Sequence, residues 1–133
     1  MAITHVNTTT AVGAGTGDLA INVPASLADG DVMYAFLCHA DDTPTVTLDT
    51  APGGWTVVDT KIGNNTAASN PRFWLYRRVV TSAVGEPGSY TWGWDLTGSF
   101  CGGITAYRGV DNTTPEDVAT GTQANQVVTT SCV

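Results

Sequence analysis

From Glu86 to Val110 the chain alternates. Tyr90, Trp92, Trp94 and Leu96 share one parity, while Thr91, Gly93 and Asp95 share the other. Successive side chains of a strand point to opposite faces. The stretch therefore predicts two strands and a turn, the first strand being aromatic on one face and small or polar on the other. An aromatic face of this size needs a second layer over it, and the remaining apolar segments must supply that layer.

Those segments are short and marked off by turn residues. Ile3 to Thr10 is rich in threonine and predicts a first edge strand, after which the glycines of residues 13–17 break the chain. Their spacing is faintly that of a phosphate-binding loop, but an alternating strand pattern follows (Asp18 to Val23) rather than a helix, so a turn is expected. Ala28-Asp29-Gly30-Asp31 is turn chemistry, and Val32 to Cys38 after it is apolar on both parities. A short helix is one reading of that run; its length and flanking turns favour a strand covered on both faces. Thr45 to Leu48 and Trp55 to Ile62 are further strand patterns, and Gly63 to Pro71 is a polar loop.

In Arg72 to Val80, Phe73, Leu75 and Val79 alternate with Trp74, Tyr76 and Val80, which puts Arg77 and Arg78 on opposite faces. Gly102-Gly103 marks a bulge or a close backbone approach. Asp111 to Asp117 reads as a loop with an Asx-type turn, and Gln126 to Val133 as a last strand. No segment sustains a helical period. The pattern predicts an all-β, antiparallel two-sheet β-sandwich, jelly-roll-like, formed as a single domain over residues 1–133 or as the N-terminal part of a longer chain.

Composition narrows the class. The chain has 133 residues, enough for a two-layer core, with 42% hydrophobic and only 13% charged residues. Charge is about half the usual ~25% share, so the surface is built from Thr, Ser, Asn and Gly. The net charge is −7, with five Lys and Arg in all. Nucleic-acid binding rests on clustered bases, so neither nucleic acid nor an anionic membrane is an expected partner. No apolar run approaches the roughly 20 residues of a membrane-spanning helix. The N-terminus lacks the basic and apolar regions of a secretory signal, so synthesis in a cytoplasm is expected.

Candidate chemistry is sparse. Cys38, Cys101 and Cys132 form no CxxC pair, and the first two sit in strand-like runs, where thiols act as small core residues. His39 with Asp41 and Asp42 offers metal-ligand types, or simply a polar loop at a strand end. The 111–117 loop has oxygens for a cation but lacks the glycine of a calcium loop. Twelve acidic residues allow a glycosidase pair on paper, yet no spacing singles one out. The N-x-Thr sites at Asn7, Asn64 and Asn112 matter only in a glycosylating pathway. No cofactor motif is present. Trp55, Trp74, Trp92 and Trp94 suit either a sugar-stacking platform or the core, and the shared face of Trp92, Trp94, Tyr90 and Leu96 favours the core.

Five motifs occur in a fixed order: Gly30-Asp31-Val32, Pro52-Gly53-Gly54-Trp55-Thr56-Val57-Val58, Trp74-Leu75-Tyr76-Arg77-Arg78, Glu86-Pro87-Gly88-Ser89-Tyr90-Thr91-Trp92, and Gly102-Gly103-Ile104-Thr105-Ala106-Tyr107-Arg108-Gly109-Val110-Asp111. The set resembles a β-sandwich module of tailed-bacteriophage structural proteins, also seen in bacterial surface proteins, over roughly residues 17 to 117. The resemblance implies a non-enzymatic protein on the virion exterior. A capsid decoration protein leads, with a tail fibre or tail-associated module behind it. The partners it implies are the major capsid protein or other virion proteins and further copies of the chain. A carbohydrate-binding module that adheres to surface glycans is the alternative of a different class. In similar modules the chain continues past the Val-Val-Thr-Thr strand, whereas here it stops at Val133. The elements suited to docking are the N-terminal segment, with Ile3, His5 and Val6, and the C-terminal strand, with Val127, Val128 and Cys132, because both are capable of strand pairing.

Overall fold

The computed structural model describes residues 2–15, 17–40, 47–62, 71–95 and 97–116. The strands are β1 (Thr4–Gly15), β2 (Asp18–Asn22), β3 (Val32–Ala40), β4 (Leu48–Thr50), β5 (Thr56–Ile62), β6 (Arg72–Val79), β7 (Ser89–Trp94) and β8 (Gly98–Arg108), with one 3-10 turn at Ala83–Gly85. They form a five-stranded sheet in the order β1-β8-β3-β6-β5 and a three-stranded sheet in the order β2-β7-β4, antiparallel at every pairing. This is the two-sheet sandwich expected from the alternation. Because β5 joins β6 rather than β4, the strands divide five against three, and the jelly-roll description is not confirmed. No helix among the described residues is long and apolar enough to cross a membrane.

The aromatic parity of residues 90–94 is the inner face of β7, the middle strand of the smaller sheet. Trp92 is fully buried and Tyr90 and Trp94 nearly so, while Ser89 and Thr91 on the other parity are exposed. Rings from the facing layer meet them. Trp55 packs edge-on to Tyr90 and Trp92, with ring centroids 5.2 and 5.4 Å apart. Trp94 stacks on Phe100 at 4.9 Å and meets Trp74 edge-on at 6.2 Å. Offset and edge-to-face geometries are those that the aromatic quadrupole favours. Leu19, Ile21, Met33, Leu37, Tyr76 and Ile104 fill the space around them.

The first edge strand is longer than the sequence suggests. The glycine-rich stretch expected to break the chain instead stays in register as far as Gly15 opposite Gly98. It continues because Gly13 lies under Phe100: a Cβ there would stand 2.2 Å from the ring. At Gly102 the close-approach expectation holds. A Cβ would meet Leu37 at 2.8 Å and Ile21 at 3.0 Å, and the β8 register runs through without a bulge.

If Trp92 anchors the two layers, Trp92→Ala costs about 3–5 kcal/mol, read as a lower urea midpoint. Thr91→Ala, one position away on the exposed face, stays within about 0.5 kcal/mol of the parent.

Candidate functional site

The two sheets present different surfaces. On the smaller sheet Asp18, Ala20, Asn22, Thr50, Ser89 and Thr91 face outward, all exposed and mostly polar. That is the ordinary pattern for an antiparallel sheet with one solvated side. The outer face of the larger sheet is apolar at its centre. Val12 and Phe36 are 72% and 52% exposed, and Phe36 stacks on Phe73 at 5.6 Å. With Thr10, Tyr34, Leu75 and Cys101 they line an open groove of about 440 Å³. Thr8, at one side, donates its hydroxyl to Thr105 at 3.0 Å and pairs with His5 Nε2 at 2.9 Å. The Thr8 and Thr105 hydroxyls are thus engaged with one another.

Beside this face lies the β1 edge. β1 is 12 residues long, THVNTTTAVGAG, and contains no Lys, Arg, Asp, Glu or Pro. Among the described residues only β8 pairs with it, so within them its other side is a sheet edge. Natural edges of this length normally carry charges, proline or bulges that discourage pairing. Here the one such device is a register shift between His5 and Asn7. An uncharged, extended edge has the chemistry to accept a further strand through main-chain hydrogen bonds.

The ionised groups of the motifs close one end of the sandwich. Asp31 is buried and receives both Nε and Nη2 of Arg108, at 2.9 and 2.8 Å, together with the Ala28 amide at 2.8 Å. These bonds, the Arg108 ones first, hold its carboxyl below the usual carboxylate range against the cost of burial. Arg78 reaches Glu86 through Nε and Nη2 and donates to the Gly53 carbonyl at 3.2 Å. Tyr90 donates its hydroxyl to the same Glu86, and the Arg78 guanidinium lies 5.3 Å over the Tyr90 ring. Burial first, then Glu86, pushes the Tyr90 phenol upward. Gly54, at φ +81°, leaves room that a Cβ would take from Arg78. Each carboxylate is engaged by a guanidinium, which makes these clusters fasteners between distant motifs rather than acid–base pairs.

The sequence-predicted residues separate in space. Ile3 is 63% exposed ahead of β1, and His5 lies on its outward face, edge-on to Tyr107. Val6, at the register shift, packs inward against the core. Val127, Val128 and Cys132 lie outside the described residues. Trp74, Trp92 and Trp94 are buried and Trp55 is half-buried among rings, the arrangement the core reading expects. His39 is buried beside Trp94 and Phe100, and its proposed companions Asp41 and Asp42 are outside the described residues. Asp111 forms the expected Asx turn, accepting the Thr113 amide at 2.8 Å. Sequence reasoning missed Val12, Phe36 and Leu75 as surface. For Phe36 the signal was there in Val32 to Cys38, apolar on both parities: one face is core and the other lines the groove.

Protein-family models, characterised proteins and solved structures were compared with the chain, and none matches it.

The lowered carboxyl of Asp31 sets a pH dependence. Its contribution to stability is complete above the unfolded-state value of about 3.9. It is lost as pH falls through the lower folded value. Urea midpoints measured from pH 7 to pH 2 should fall steeply below about pH 4. Asp31→Asn should start lower at pH 7 and fall less steeply over that acid limb.

Proposed function

We propose that the protein is a non-enzymatic structural module that docks on a larger protein assembly through the β1 edge, in the manner of a decoration protein on the exterior of a tailed-phage capsid. The observation that carries the reading is the 12-residue uncharged edge strand. Main-chain pairing along such an edge supplies affinity without a deep pocket or a charged patch. The low charge of the chain and its threonine-rich surface suit a protein that lies against other proteins. The assignment to a capsid rests on the resemblance of the five ordered motifs to modules of phage structural proteins. In the described structure those motifs serve the fold, through the Arg108–Asp31 and Arg78–Glu86 ion pairs.

Lysines placed along the edge should disrupt docking while sparing the fold. Thr4 and Ala14 are exposed near the two ends of β1. The double variant Thr4→Lys, Ala14→Lys should keep its urea midpoint within about 0.5 kcal/mol of the parent. Its retention on purified capsids, followed by co-sedimentation, should drop about tenfold, a 1.4 kcal/mol effect. Undiminished retention would remove β1 as the docking element.

A further inference from the structure

On the outer face of the larger sheet, β3 and β8 set two thiols side by side. The strands pair antiparallel with Cys38 directly opposite Cys101, and directly opposed residues project from the same face. That face is the outer one. Met33, Ala35 and Leu37 hold the core parity of β3, so Cys38 shares the outward parity of Tyr34 and Phe36. Cys101 lines the groove with those two residues, while Phe100 and Gly102 beside it face the core. The next partners along the same row are Val12 on β1 and Phe73 on β6, so the pair sits in mid-sheet among apolar side chains. Cys38 is 3% exposed, and Cys101 is half-buried with the open groove in front of it. Their strand-like runs predict small core residues; the register instead makes them neighbours on the outer face. We propose that Cys38 and Cys101 form a dithiol–disulfide pair, which closes on oxidation by a low-molecular-weight disulfide and ties β3 to β8.

The spacing fits the bond. Directly opposed residues of antiparallel strands have Cα atoms about 4.5 or 5.5 Å apart, and both distances lie in the range of about 4.4–6.8 Å that disulfides use. Exposure sets the order of events. The Cys101 thiolate attacks one sulfur of the small disulfide, the S–S bond breaks, and one thiolate leaves. Cys38 then gives up its proton and attacks the Cys101 sulfur of the mixed disulfide, expelling the second thiolate. The protein thereby loses two hydrogens with their electrons, and the small disulfide becomes two thiols. The bridge closes a loop that holds β4 to β7, and long loops gain most from closure. In a reducing compartment the pair stays open, and in an oxidising one it closes. The pairing is independent of docking through β1.

The test uses the full chain, reduced and then treated with oxidised glutathione at about pH 8.5, near the ordinary thiol value. Remaining thiols are alkylated before digestion and mass spectrometry. The expected product is a folded monomer in which Cys38 and Cys101 are joined. Thiols that stay unreacted, a glutathione adduct that persists on Cys101, a bridge that uses Cys132, or a linkage between chains would each overturn the proposal. The same reaction in urea separates apposition by the fold from chance pairing. There the Cys38–Cys101 share of the intrachain bridges should fall about fourfold, because the shorter loop between Cys101 and Cys132 closes more readily. Equal shares in folded and unfolded protein would overturn it too. In a third arm, Cys38→Ser should hold glutathione on Cys101 as a stable mixed disulfide, and its release as fast as in the parent would remove Cys38 as the resolving thiol.

Discussion

Everything in this fold depends on covering the inner face of β7. Three large rings project from a strand of six residues, and water is excluded from Trp92 entirely. Burying a side chain of this size contributes several kcal/mol, comparable to a large part of a domain's net stability. The strand cannot be covered by its own sheet, so the five-stranded sheet must lie over it and bring Trp55, Trp74 and Phe100 into contact. That single requirement fixes which parity of β3, β6 and β8 points inward. It thereby also fixes what is left facing out.

Polar contacts then hold the closed end. Arg108 with Asp31, and Arg78 with Glu86 and Tyr90, join residues that are far apart in the chain and come from different motifs. A carboxylate as buried as Asp31 is tolerated only when its charge is paired and its oxygens are hydrogen-bonded. Both oxygens are engaged here. In the sequence these residues stood only as parts of the ordered motifs, and the geometry gives them to the fold.

Much of this was readable from the chain itself. The aromatic parity of residues 90–94 gave the inner face directly, because period-2 alternation is the plainest signal a half-buried strand has. The strand positions followed from turn residues. What alternation does not encode is which strands become neighbours. Nothing local in Trp55 to Ile62 says that β5 joins β6, and nothing in residues 13–17 says that glycines continue a strand when a facing Phe100 needs their space. The candidate surface was only half readable. The Thr-rich stretch Ile3 to Thr10 was singled out for docking, but its inward Val6 was not told apart from its outward His5, and the outward Val12 beyond it was not named, since the register shift between His5 and Asn7 changes the parity along β1. The groove was visible as a doubly apolar β3, a pattern equally suited to a strand with a second layer over it.

What the core leaves over, among the described residues, is an uncharged edge beside an apolar face. The most direct measurement is backbone hydrogen exchange of the protein free and bound to capsids. Docking by strand addition requires the β1 amides that face away from β8 to become protected on binding, while the amides of β5, at the opposite edge of the same sheet, exchange as before. Exchange in β1 that is the same in the free and bound protein would contradict the account.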